Sequence, residues 1–133
     1  KKCGCIVRTS DIVQRMPTTE LLDFLTYEPT AECLDLDIVT NPPYKYAEEF
    51  VRKSIDTVRT GRCVAMLLKL TFLEGKKRKV MFKEIPPRYV LVYSERRHCA
   101  KNGEFTSKDA SAICYAWFVW YKGYTGSPEI RWI

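Results

Sequence analysis

Short apolar runs alternate along this chain with stretches whose apolar residues recur every three or four positions. The clearest periodic stretch runs from Lys45 to about Thr60. Ala47, Phe50, Val51, Ile55 and Val58 share one face there, which predicts an amphipathic helix. Glu48 stands four residues before Arg52, and Glu49 four before Lys53, the order that supports a helix. Arg59 suits the negative C-terminal end, and Gly61 suits the left-handed position beyond it. Leu21, Leu22 and Leu25 have the same spacing, so Thr18 to Tyr27 reads as a helix capped by Thr18 or Thr19.

The apolar runs predict strands. Cys5-Ile6-Val7 is a short one, and Asp35 to Thr40 is a buried one around Leu36, Ile38 and Val39. Cys63 to Leu68 is apolar throughout, as in a parallel strand buried on both faces. The basic stretch Lys76 to Lys79, with Val80, Phe82 and Ile85 nearby, ends at Pro86-Pro87, which stop any helix there. Arg88 to Ser94 is the next strand, Glu95 to Ala110 a polar loop, and Ala112 to Tyr121 an aromatic strand. Gly123 to Pro128 turns the chain, and Ile130 to Ile133 adds an edge strand.

Strand–helix–strand alternation from Asp35 onward predicts an open, mostly parallel α/β sheet with right-handed crossovers. The last two long strands have no helix between them, so an antiparallel C-terminal hairpin at one edge is expected. Open α/β sheets bind ligands beyond the carboxyl ends of their parallel strands. The loops after Val7, Val39 and Leu68 are therefore expected to carry the chemistry.

The 133 residues fit one domain, and 46% hydrophobic against 29% charged residues exclude a disordered chain. No apolar stretch approaches the ~18 residues of a membrane span. Lys1 to Cys5 has no apolar run behind its charges, so no signal peptide is expected, and a soluble cytoplasmic protein is. Cys63 and Cys114 fall inside apolar runs, where cysteine acts as a small core hydrophobe. No cysteine pairs have a zinc spacing, and His98 is the single histidine, so all six cysteines read as thiols and no metal is expected. The charge is uneven. Residues 1–60 hold 8 basic and 10 acidic residues, a balance of −2, and residues 61–133 hold 14 and 6, a balance of +8. A basic half invites a polyanion; a solvated lysine-rich face is the plainer alternative.

The loop after Val39 is Thr40-Asn41-Pro42-Pro43-Tyr44. Two prolines stiffen a backbone that has just left a strand. Pro42 lacks an N–H but keeps a carbonyl acceptor, Asn41 adds a side-chain oxygen, and Tyr44 adds an aromatic face. Two acceptors and a stacking surface suit a planar ring with an exocyclic amino group. Pro-Pro alone would merely stiffen a turn.

Asp37 to Tyr44, a strand running into Asn-Pro-Pro-Tyr, resembles the catalytic motif of S-adenosylmethionine-dependent amino methyltransferases. Within these it is most similar to the N6-adenine DNA methyltransferases of restriction–modification and phage systems. Thr9-Ser10-Asp11-Ile12 resembles the end of the family's second strand, which implies that Asp11 and Ile12 bind the cofactor ribose. Asp23-Phe24-Leu25 resembles the next motif, which implies that Asp23 and Phe24 meet the cofactor's adenine, from a loop rather than the helix that periodicity suggests. Val64 to Lys69 resembles the strand after the catalytic helix, and Arg88 to Tyr121 the closing hairpin. The resemblance implies a single partial catalytic domain over residues 1–133, with a Rossmann-like sheet truncated at its N-terminus. The family's glycine-rich cofactor turn has no counterpart, because no G-x-G pattern occurs and Gly4 alone precedes Asp11. A missing strand would expose a sheet edge, which implies a dimer or a complementing chain.

The same resemblance implies S-adenosylmethionine as cofactor and DNA as partner. Asn41 and the Pro42 carbonyl would accept from the amino group of a flipped-out adenine, with Pro43 stiffening the loop and Tyr44 stacking on the base. Asn41 also borders the cofactor. Phe105 is a candidate second stacking face, and Arg96, Arg97, Lys101 and Lys108 are candidate phosphate contacts in the same loop. The run Tyr115 to Tyr121 reads as core packing. Two alternatives remain: a methyltransferase acting on RNA bases or a protein glutamine amide, and a non-catalytic α/β module that binds nucleic acid or a partner chain.

Overall fold

Seven residues of alternating burial, Cys63–Lys69, form a long inner strand of the computed structural model, which describes residues 4, 6–14, 16–95 and 113–133. In chain order the strands are β1 (Ser10–Asp11), β2 (Glu20–Leu21), β3 (Ile38–Thr40), β4 (Cys63–Lys69), β5 (Tyr89–Val92), β6 (Tyr115–Tyr121) and β7 (Glu129–Trp132). Helix α1 (Ala47–Thr57) joins β3 to β4, and α2 (Lys76–Glu84) lies between β4 and β5.

The five longer strands form one sheet in the order β3-β4-β6-β5-β7. β3–β4 and β5–β7 are parallel, whereas β4–β6 and β5–β6 are antiparallel. The protein is thus α/β with a mixed sheet, not the mostly parallel one expected. β5 and β6 do pair as an antiparallel hairpin, but not at an edge. β6 inserts between β4 and β5, and β7 covers the outer edge. The reason lies in composition. Phe118, Trp120 and Ala116 are fully buried on β6, and the strand with most apolar surface gains most from a neighbour on either side.

Register then builds the core. Val64, Met66 and Leu68 stand opposite Trp120, Phe118 and Ala116, so six side chains share one face. Onto that face α1 lays Ala47, Val51 and Ile55, followed by Val58, and the α2 region adds Phe72 and Met81. Phe118 meets Phe72 edge-on at 5.5 Å and stacks on Trp120 at 6.0 Å. The indole N–H of Trp120 donates to the Ile85 carbonyl at 3.1 Å, fixing the end of α2. Arg52 bridges Glu48 at 3.2 Å and Glu84 at 2.9 Å, tying α1 to α2. The opposite face of β4 is only half-buried, at Cys63, Ala65, Leu67 and Lys69, so this strand is not covered equally on both sides.

Other expectations need correction. Thr18 to Tyr27 is not a helix. Glu20–Leu21 pairs instead with Ser10–Asp11 as a separate two-stranded parallel ladder. The Asp23 side chain accepts the Leu25 N–H at 3.0 Å, a local bond that competes with a helical turn. Ile6 and Val7 lie in no strand, and Ile6 is 93% exposed. Only Ile38–Thr40 of the Asp35–Thr40 segment is a strand, with Val39 exposed and a 3-10 turn at Ala31–Asp35 before it. α1 ends at Val58 in extended geometry, so Gly61, at φ 86°, serves the turn into β4 rather than the helix end. Cys33, Cys63 and Cys114 are free thiols, and Cys114 is exposed rather than in the core. Among the described residues no helix is long and apolar enough to cross a membrane.

Two substitutions test this account of the core by urea denaturation. Phe118→Ala should cost about 3–5 kcal/mol, because it opens a cavity at the centre of the sheet. Ser54→Ala should raise stability by about 1 kcal/mol: Ser54 is fully buried on α1 and its hydroxyl oxygen has no partner among the described residues.

Candidate functional site

The Asn-Pro-Pro-Tyr segment leaves the end of β3, where a parallel strand exposes its terminal backbone groups. Pro42 is buried and anchors the loop, while Asn41 and Pro43 are exposed. The Pro43 carbonyl accepts the Tyr46 N–H at 2.9 Å, which closes a 3-10 turn at Tyr44–Tyr46 leading into α1. Among the described residues, neither the Asn41 side chain nor the Pro42 carbonyl takes a hydrogen-bond partner. Asn41 is thus open to solvent, on a loop that the buried Pro42 holds rigid.

Tyr44 is half-buried. Its ring lies 5.9 Å from that of Tyr115 on β6, tilted by 40°. The Lys69 ammonium sits over the same ring at 5.2 Å. Lys69 and Tyr115 are register partners at the end of the β4–β6 ladder, so both arrive at Tyr44 through strand pairing. A cavity of about 90 Å³ opens beside them, bounded by Tyr44, Lys69, Thr71, Phe72 and Arg78. The loops after β3 and β4 therefore meet at one place. The third loop expected there, after Val7, follows no strand.

Asp11 and Asp23 come together elsewhere. The Leu22 N–H donates to the Asp11 carbonyl at 2.9 Å, which brings the tip after β2 beside the end of β1. The Asp11 carboxylate accepts the Val13 N–H at 3.1 Å, as Asp23 accepts that of Leu25, so each closes a local turn. Asp11 is half-buried, while Asp23 and Ile12 are exposed. The Phe24 ring stacks on Phe50 of α1 at 5.3 Å. This stack ties the aspartate turn to the helix that follows the Asn-Pro-Pro-Tyr loop. Arg96, Arg97, Lys101, Phe105 and Lys108 lie outside the described residues.

Lys69, Arg78 and Tyr115 were not marked by the sequence as site residues. Lys69 there merely ends a strand and Tyr115 begins one; only the register sets them side by side. Arg78 belongs to a basic run with nothing to distinguish it from its neighbours.

Away from this site one thiol is unusual. Hydrogen bonds from Thr30 and Tyr27, with the Arg8 guanidinium nearby, hold the Cys33 thiol below its ordinary range. Burial, with Asp37 adjacent, pushes the Cys63 thiol up. The thiolate is the reactive form, so a lowered value means more of it at neutral pH. Iodoacetamide should label Cys33 before Cys63 at pH 7.5, as read by peptide mass spectrometry. Compared with known proteins, the chain matches no family model and no curated protein.

Proposed function

We propose that this chain is the catalytic domain of an N6-adenine DNA methyltransferase, with a Rossmann-like sheet, acting in the cytoplasm. The observation that carries the reading is the pair of acceptors, the Asn41 side chain and the Pro42 carbonyl, which take no partner among the described residues and lead directly into Tyr44. The amino nitrogen of adenine is a weak nucleophile because its lone pair is delocalised into the ring. Two acceptors on its N–H groups favour a tetrahedral nitrogen and free that pair. Tyr44 offers the stacking surface a flipped base needs. The loop's work is thus positioning and electrostatics.

S-adenosylmethionine, when bound, supplies a sulfonium methyl that departs without the bonding electron pair, while the amino nitrogen gives a proton to water. The chemistry of the described residues fits the adenosine half of this cofactor. Asp23 is exposed, and among the described residues one of its carboxylate oxygens takes no partner, which suits an adenine amino group. Asp11 stands one backbone hydrogen bond away, suited to ribose hydroxyls, with Ile12 exposed beside it. Phe24, docked on Phe50, holds this turn against α1.

The parallel β3–β4 unit, with α1 crossing between its strands, supports the Rossmann-like reading. Among the described residues β3 pairs only with β4, and Val39 on it is 68% exposed. That edge supports the further reading that a second copy or a complementing chain pairs there. Sedimentation that remains monomeric over a wide concentration range would remove this part.

Calorimetry with S-adenosylmethionine, and methyl transfer to adenine-containing DNA, test the proposal. Saturable binding should be lost in Asp23→Ala and weakened in Asp11→Ala. At saturating cofactor, Asn41→Ala should transfer methyl groups about 10²–10³-fold more slowly, the loss expected for one electrostatic contact to the reacting group. Tyr44→Phe should retain activity that Tyr44→Ala loses. No binding at millimolar cofactor would overturn the reading. Transfer to RNA or to a glutamine-containing peptide instead of DNA would redirect it.

A further inference from the structure

We propose that Lys69 and Arg78 together grip one phosphodiester group of a DNA strand whose base lies at Tyr44. The proposal rests on the function above for the strand being DNA; the anion site rests on geometry alone. Both cations bound the same cavity, and among the described residues no acidic side chain lines it. Among the described residues neither has a carboxylate partner. At about 90 Å³ the cavity has room for a few water molecules, the size of one tetrahedral anion.

Arg78 carries the argument furthest. Its Nε is buried and has no hydrogen-bond partner among the described residues. Its Nη2 reaches only the Thr71 carbonyl, at a long 3.5 Å. A desolvated charged donor without an acceptor is costly, and native structures keep few of them. The guanidinium is nevertheless held in place. It lies over the Phe72 ring at 5.3 Å and against Gly75. Gly75 has φ 110°, and a Cβ there would stand 3.1 Å from Nη2, so glycine leaves the space that the guanidinium fills. The first turn of α2 holds Lys76, Lys77 and Arg78, with no acidic residue to offset them. Like charges at the positive end of a helix repel it, and an anion at Arg78 would relieve both costs.

The aromatic neighbours identify which anion. Tyr44 lines the cavity with the buried Tyr115 ring behind it, and a nucleotide presents a stacking face and a phosphate within one unit. A phosphate contact would fix the strand's position without reading its sequence.

Fluorescence anisotropy of a labelled DNA single strand, over a salt series, tests this. Lys69→Gln and Arg78→Gln should each weaken binding by about tenfold, the loss of a hydrogen bond to a charged group. Each should lower the slope of log affinity against log salt by about 0.7, one single-strand phosphate. The double variant should lower the slope no further, since both residues serve one phosphate. Lys53→Gln, on α1 and outside the cavity, should leave the slope unchanged. A neutral methylphosphonate at the gripped linkage should reproduce the loss in the wild type and add nothing in Arg78→Gln.

Arg78→Gln should melt no lower than the wild type, because Nε is unpartnered in the free protein. If it melts lower, Arg78→Lys replaces it, and should keep the slope while losing part of the affinity. Unchanged slopes in both single variants, a double variant that loses two phosphates, or a wild type that binds no strand would each overturn the proposal. An acidic peptide competing as well as the strand would overturn it too. Strand binding with these effects, but without cofactor binding, would leave the clamp standing and remove the methyltransferase reading.

Discussion

The pairing of β4 with β6 sets both the core and the site. Its register runs without a break from Cys63 opposite Tyr121 to Lys69 opposite Tyr115. Side chains alternate along a strand, so this one ladder decides which residues face the helices and which stand at the strand's end. Even-numbered positions from Val64 to Leu68 face even-numbered positions from Ala116 to Trp120, and they carry the buried apolar surface. A slip by one residue would send that surface to the open face, which the packing of α1 forbids. The same constraint sets Lys69 beside Tyr115 at the ladder's end, where the ring of Tyr44 lies against both. The site is therefore not a separate construction on a finished fold. It is where the core's own register stops.

How much of this could be read from residues follows the range of each interaction. α1 was legible because its apolar face, Ala47, Val51, Ile55 and Val58, repeats within a few turns. The strands from β3 to β7 were legible as apolar runs. Their order was not, because placing β6 between β4 and β5 satisfies contacts distant in sequence. The Leu21, Leu22 and Leu25 spacing misled for a local reason. The segment's backbone instead bonds to β1, where Thr9 accepts the Glu20 N–H at 2.9 Å, and Asp23 caps its own turn. Asn41 to Tyr44 was legible as a rigid pair of acceptors, since all four residues are consecutive. Lys69, Tyr115 and Arg78 were not, since three separate elements bring them in.

Charge shows the same division. The sequence located the excess of cations in residues 61–133 but treated them alike. Their surroundings make them differ. Arg131 is held by Glu129 at 2.7 Å, and Arg88 lies over the rings of Tyr89 and Tyr124. Earlier in the chain Arg59 is likewise paired, with Asp35 at 2.6 Å. Such exposed pairs contribute little to stability, but they do use up the charge locally. Lys69 and Arg78, like Arg88, lie over aromatic rings, but theirs line a cavity.

Two buried polar atoms without partners mark the limit of what stability alone explains. The Ser54 hydroxyl and the Arg78 Nε are alike in lacking a partner among the described residues. They are unlike in what surrounds them. Ser54 is fully buried on α1, the helix that carries Val51 and Ile55 into the core. Arg78 shares its cavity with another cation and a wall of aromatic rings, and a glycine of unusual backbone geometry makes room for it. A single polar atom left over in a core needs no ligand to account for it. Two cations gathered at one opening, with no carboxylate partner among the described residues, carry a cost in the free protein that the proposed anion would offset.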